Sequence, residues 1–232
     1  MSEKLPAKSS RAEVDAFLEK VRRLPELRTE GRGRLVFAMD ATASRAPTWD
    51  RACRIQGEMF EATAALGGLE IQLVFYRGFA ECKASRWMAN AKDLHGAMSA
   101  VACVGGQTQI GRVLVHIARE ARAKKVSAAV FVGDAMEESH DRLAHLAGEL
   151  RLLGVPVFVF HEGGDPVAAR AFQDIARLSN GAYCPFDAGS AQQLKELLGA
   201  VAVYAAGGRK ALEDYGRRQG GAALLLTHRL GK

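Results

Sequence analysis

The chain has 232 residues, 48% of them hydrophobic, which suits one large domain with a buried core and leaves no need for disulfide staples. No apolar run approaches the ~20 residues that cross a bilayer, and the opening MSEKLPAKSSRAEVD has no secretory hydrophobic core, so a cytoplasmic protein is expected. The net charge of +6 is spread out, with its densest groups at Lys20-Arg22-Arg23, Lys124-Lys125 and Arg217-Arg218, none interleaved with aromatics; it predicts a solvated surface with weak polyanion binding at most.

An N-terminal arm, residues 1–33, contains one amphipathic helix. Ser10 and Glu13 form its capping box, Val14, Phe17, Leu18 and Val21 its apolar face, and Leu24-Pro25 its end. Leu35–Met39 is a short buried strand. A helix follows over Pro47–Leu66, closed by Gly67-Gly68. Leu69–Tyr76 is a strand, and Gly78 turns it into an antiparallel edge strand over Phe79–Lys83.

A short helix over Ala91–Cys103 leads to the loop VGGQTQIG and a longer helix ending at Lys125. The strand Val126–Val132 ends in Gly133-Asp134, and Ser139 caps a helix to Leu153. Val155–Phe160 is a strand, Pro166–Leu178 a helix, Ala182–Phe186 a short strand and Ser190–Ala206 a last helix. Residues 207–232 form a tail, in which Leu224–Leu226 packs back on the domain. Helices alternating with continuously apolar strands specify an α/β domain over 34–206: a mainly parallel sheet between two helical layers.

Open parallel sheets bind ligands beyond the carboxyl ends of their strands. Two apolar strands end there in an acid, RLVFAMD at Asp40 and AAVFVGD at Asp134. In D-A-T-A-S, Thr42 and Ser44 follow Asp40 at alternate positions, which an extended backbone points to one side. Thr108 stands just before a helix, after Gly105 and Gly106, which permit an unusual backbone path. Asp40, Thr42, Ser44, Thr108 and Asp134 are all hard oxygen donors, with no imidazole or thiolate among them. That set favours Mg2+ or Mn2+ over zinc or copper. Two carboxylates offset a divalent charge, hydroxyls ligate without adding more, and the metal stays electrophilic toward an outside oxygen.

D-A-T-A-S at 40–44, G-G-Q-T at 105–108 and G-D at 133–134 resemble the metal-ion-dependent adhesion site of von Willebrand factor type A (VWA) domains. The family pattern is D-x-S-x-S, a loop Thr and a later Asp; here Thr42 replaces the first serine and Ala135 the usual glycine after the last Asp. The resemblance covers about residues 34–206. It implies a three-layer Rossmann-like fold with sheet order 3-2-1-4-5-6, the hairpin as its single antiparallel edge strand, and the five residues as a Mg2+ site. It further implies a binding module that docks an Asp or Glu of a protein partner, in the manner of adaptors for AAA+ ATPase or chaperone assemblies.

Arg45, Trp49, Gln107, Glu137 and His161 are candidates for the partner-binding rim, each weighed against a solvated or structural role. Glu137 and Glu138 also read as acids complementing the dipole of the helix after Ser139. His95, His116, His140 and His145 share no partner and read as structural. Cys53, Cys82, Cys103 and Cys184 form no C-x-x-C pair and read as reduced thiols. The competing functions are a Mg2+-dependent phosphoester hydrolase and weak nucleic-acid binding. Against the hydrolase, the chain has no G-x-x-x-x-G-K-[ST] phosphate loop and no D-x-D after the first strand, so no catalytic constellation is expected.

Overall fold

The computed structural model describes residues 11–22, 32–63, 68–186 and 191–219. Six strands form one sheet: β1 (Gly33–Asp40), β2 (Leu69–Arg77), β3 (Glu81–Ala84), β4 (Ala128–Gly133), β5 (Val157–Glu162) and β6 (Tyr183–Phe186). Their order is β3-β2-β1-β4-β5-β6, and every pairing is parallel except β2 with β3. This is the expected order and the expected antiparallel edge.

β1 shows why the chain builds three layers. All eight of its residues are buried. Strand alternation sends Leu35, Phe37 and Met39 to one face and Val36 and Ala38 to the other. The first face is covered by α1 (Arg11–Arg22), α2 (Ala46–Ile55), α3 (Gly57–Thr63), α4 (Ala91–Ser99) and α8 (Ala191–Gln219), with Phe17, Trp49, Met59, Leu94 and Val201 among the buried residues. The second is covered by α5 (Ile110–Ala123), α6 (His140–Leu152) and α7 (Pro166–Leu178), through Val113, Leu143 and Phe172. Each fully buried Leu or Phe contributes roughly 1.5–3 kcal/mol, which makes the two faces the main favourable term in folding.

The N-terminal helix belongs to this core. Phe17 meets the rings of Phe158 and Phe160 edge-on, at 5.9 and 5.4 Å between centroids. Ser10, its expected cap, lies outside the described residues.

Several boundaries differ from expectation. The helix expected over Ala91–Cys103 stops at Ser99, and the strands expected at Val126–Val132 and Val155–Phe160 are shifted toward their carboxyl ends. Three further differences have a visible cause. The helix expected over 47–66 divides at Gln56 into α2 and α3; Gly57, a weak helix former, follows the break. The edge strand starts at Glu81, because Phe79 and Ala80 complete the turn and Phe79 stands in solvent. The last helix runs past Ala206 to Gln219, interrupted at Gly208 where φ is 70°. Beyond Gly208 the helix resumes within what was expected to be tail, and it buries Leu212 on the same face. Leu224–Leu226 lie outside the described residues.

Candidate functional site

The parallel register fixes which side chains can meet. Asp40 closes β1 opposite Tyr76 of β2, and Met39 pairs with Val132 of β4, so Asp40 and Asp134 leave neighbouring strands at one edge. After Asp40 the chain bends through Ala41 and Thr42 into a single 3-10 turn over Ala43–Arg45, and α2 begins at Ala46.

Asp40 is 1% exposed and its carboxylate is fully engaged. Oδ1 accepts from the Thr42 amide at 2.7 Å, and Oδ2 accepts from the Tyr76 hydroxyl at 3.0 Å. Burial holds the Asp40 carboxyl above the usual carboxylate range, the Thr42 bonds pull it back down, and the neighbouring charge of Asp134 pushes it up again. Tyr76 is wholly buried, and its hydroxyl is held well above its ordinary value by burial and by Asp40.

Ser44 donates from its hydroxyl to Oδ2 of Asp134 at 2.9 Å, and the Thr42 and Ser44 hydroxyls lie 3.4 Å apart. The two carboxylates and two of the three hydroxyls therefore share one edge of the sheet. Thr108 has a different partner: its hydroxyl accepts from the Glu137 amide at 3.0 Å, and its own amide donates to the Glu137 carboxylate at 3.0 Å. This reciprocal pair ties the loop before α5 to the loop after Asp134.

That first loop is also hung from the β2-β3 turn. The Gln107 amide donates to the Gly78 carbonyl at 3.1 Å, Gln109 Nε2 reaches the Arg77 and Gly78 carbonyls at 3.2 and 3.3 Å, and the Val104 amide bonds Ala41 at 3.0 Å. Neither Gly105 nor Gly106 adopts positive φ. What Gly106 provides is proximity: a Cβ there would lie 2.0 Å from the Gly78 carbonyl oxygen.

Three of the five donors, Thr42, Ser44 and Asp134, are spaced like ligands of a small hard cation. Neighbouring oxygens of an octahedron with bonds of about 2.1 Å lie about 3.0 Å apart. The separations of 2.9 Å (Ser44 to Asp134) and 3.4 Å (Thr42 to Ser44) bracket that value. Among the described residues, no group of three or more His, Cys, Asp and Glu is placed to hold a metal, so a cation here would depend on hydroxyl and water ligands. That dependence favours magnesium or manganese over softer metals.

Three of the five expected rim residues are not at the surface. Arg45 is 1% exposed and ion-pairs Glu162, with Nη1 also 3.9 Å from Asp134 Oδ2. Trp49 is a core residue whose indole donates to the Met98 carbonyl at 3.1 Å and packs edge-on against Phe75. His161 is buried under Phe172, with Nδ1 2.8 Å from the Tyr183 hydroxyl; burial holds its imidazole below the ordinary value. Gln107 and Glu137 are exposed.

Sequence reasoning missed Tyr76 and Glu162 and misread Glu138. Tyr76, one residue before the end of β2, and Glu162, the last of β5, lie at the edge that carries the acids, so the strand register is the signal that finds them. Glu138 does not serve its own helix. Its carboxylate accepts from the Ile110 and Gly111 amides, the latter at 2.9 Å, and caps α5, whose N-cap Gln109 makes no side-chain cap bond. Glu138→Ala should therefore cost about 1–2 kcal/mol by thermal melt, a cap loss felt across two loops.

No family model and no curated protein matches the sequence. Solved structures do match the fold. The VWA domain of SpRpn10 aligns over 72% of this chain and 94% of its own, with a TM-score of 0.57 at 13% identity. The chain has a VWA-like fold. Proximal thread matrix protein 1 from the mussel byssus, with a zinc-occupied MIDAS motif, gives a TM-score of 0.58 at 17% identity over 74% of this chain. A D319A mutant of the PilB minor pilin from Streptococcus sanguinis gives 0.59 at 8% identity over 82%. The chain spans only 46% of the matrix protein and 64% of the pilin. At these identities the shared VWA-like feature is the fold. Among the described residues, no helix is long and apolar enough to cross a membrane.

Proposed function

We propose that this chain is a metal-dependent protein-binding module of the cytoplasm, in which Asp40, Thr42, Ser44, Thr108 and Asp134 hold Mg2+ (or Mn2+) and the metal takes a carboxylate from a partner protein. The observation that carries the reading is the contact between Ser44 and Asp134, which joins the edges of β1 and β4 through hard oxygens. The zinc-bearing MIDAS motif of a structural neighbour supports a divalent cation in this kind of fold. The oxygen donors here support a harder one. Such a metal supplies one directed, charged contact; the rest of the interface must come from its surroundings.

Those surroundings include a groove of about 430 Å³ between α6 and α7, with Met136, Val167 and Ala171 on its walls and Arg170 beside them. Met136 lies two residues beyond Asp134 in the same loop, which links the groove to one of the proposed metal donors along the chain. It suits an apolar side chain of the same acidic segment, with Arg170 favouring further negative charge.

The test is capture from the native cell with Mg2+ or with chelator, scored by the metal dependence of each captured protein. Mn2+ titration followed by electron paramagnetic resonance measures the metal separately. Capture that ignores the metal, from a chain that binds Mn2+, would sink the docking role. Val167→Asp should weaken partner capture by roughly tenfold, about 1.4 kcal/mol, while leaving Mn2+ affinity unchanged.

A further inference from the structure

Arg45 is the largest fully buried side chain among the described residues. Its Nη1 ion-pairs Glu162 and stands 3.9 Å from Oδ2 of Asp134. Its Nε and Nη2 are buried with no hydrogen-bond partner among the described residues. Glu162 also accepts from the hydroxyl of Thr48, which is itself buried. Removing a guanidinium from water is costly, and leaving two of its nitrogens unsatisfied adds to the cost. Structural stability gives no reason to place this cation here, since a well-packed apolar pair of similar volume serves as well or better. What the cation does achieve is electrostatic. Three carboxylates, those of Asp40, Asp134 and Glu162, crowd one edge of the sheet, and Arg45 is the cation seated within it.

We propose that Arg45 is a built-in counter-cation that sets how tightly the candidate site binds a divalent metal, and that Glu162 offsets its charge. Resting on the metal-binding reading above, the logic is one of competition for charge. With no metal, Arg45 offsets Asp134. When a divalent ion arrives it meets a positive charge held in place, because Arg45 is buried and ion-paired with Glu162. Glu162 neutralises part of that charge at the same nitrogen, Nη1. The pair therefore acts as a bias on affinity, although neither member ligates the metal.

The two partners of this ion pair are predicted to act in opposite directions. Arg45→Met removes the competing charge and should tighten Mn2+ binding on the order of tenfold; Glu162→Gln leaves Arg45 uncompensated and should weaken it on the order of tenfold. The double variant should return to within about threefold of wild type. Arg45→Lys keeps the charge and should stay near wild type. A merely structural ion pair gives a different pattern: both single variants melt lower, and neither shifts Mn2+ affinity in a direction set by its charge.

Mn2+ titration of the full chain by electron paramagnetic resonance, with thermal melts of the metal-free variants alongside, reads both. Opposite shifts with recovery in the double variant establish the assignment. Shifts in the same direction, or shifts below about threefold in a wild type that binds Mn2+, overturn it and leave the metal reading standing. A wild type that takes up no divalent ion overturns both. Should Arg45→Met fail to fold, Glu162→Gln against the double variant decides the point: weakened binding in the first must be restored in the second.

Discussion

Asp40→Asn is expected to abolish metal uptake while leaving the metal-free fold as stable as wild type or more so. The geometry sets both halves of that outcome. Asparagine keeps the shape, so its Oδ1 still accepts from the Thr42 amide. Its amide group can donate to the Tyr76 hydroxyl oxygen, which reverses the present bond and offsets part of the gain by taking the Tyr76 proton's acceptor. The charge is lost. A carboxylate beside a divalent ion is worth several kcal/mol even at a screened dielectric, so Mn2+ affinity should fall by about a hundredfold or more.

The stability half follows from linkage. Burial holds the Asp40 carboxyl above its unfolded value. The stability that its protonated form gives is thus fully present below the unfolded pKa and is lost as pH rises through the folded pKa. At neutral pH the ionised group is a net cost in the metal-free chain, and asparagine removes that cost. Melts from the acid range to neutral should show wild type falling behind Asp40→Asn as pH rises, with added Mg2+ raising only wild type. An Asp40→Asn chain that still binds Mn2+, or that unfolds many degrees earlier than wild type, contradicts the account.

The second large effect is expected from one methyl group. In Gly106→Ala the new Cβ falls 2.0 Å from the Gly78 oxygen and 2.3 Å from its carbonyl carbon. Both are backbone atoms of a tight turn, where Gly78 itself has φ 57°, so no flexible side chain can yield. The loop must lift, and the bonds from Gln107 and Gln109 to the turn are lost with it. The expected cost is about 2–4 kcal/mol by denaturant titration, within the range of steric clashes that break several bonds at once. Thr108 moves with the loop, so metal affinity should fall at least about tenfold. Gly105→Ala is the matched control: its Cβ would meet nothing within 4 Å, and a change within about 0.5 kcal/mol is expected. Equal behaviour of the two variants would show that the loop is not pinned by the turn.

The contrast between neighbouring glycines also shows what a sequence conceals. Asp40 and Asp134 were legible as strand-end acids, because apolar runs ending in an acid carry their meaning locally; that they share an edge depended on the strand order, which only the family resemblance implied. Thr42 and Ser44 do come together, but the 3-10 turn over Ala43–Arg45 brings them there rather than the extended exit that their alternate spacing suggested. Arg45 was not legible: flanked by small and polar residues it reads as solvated, and its burial depends on Glu162, which β5 delivers from far along the chain. Trp49 and His161 follow the same rule, since Met98 and Tyr183 satisfy them from other elements. Glu138 read as serving the helix it precedes, yet it caps the neighbouring one, a choice visible only once α5 and the β4 loop are adjacent.

β1 is enclosed on both sides along its full length, whereas the stretch from Val101 to Gln109 is irregular chain tied at separate points: Val104 to Ala41, Gln107 to Gly78 and Thr108 to Glu137. The two walls of the site are consequently unequal in compliance. The wall bearing Asp40 is as stiff as the protein's interior, and the one bearing Thr108 hangs on a few discrete bonds. Any reshaping that a guest demands must be absorbed on that tethered side, which makes its anchor points, the outer hairpin among them, the places from which a distant event could tune the grip.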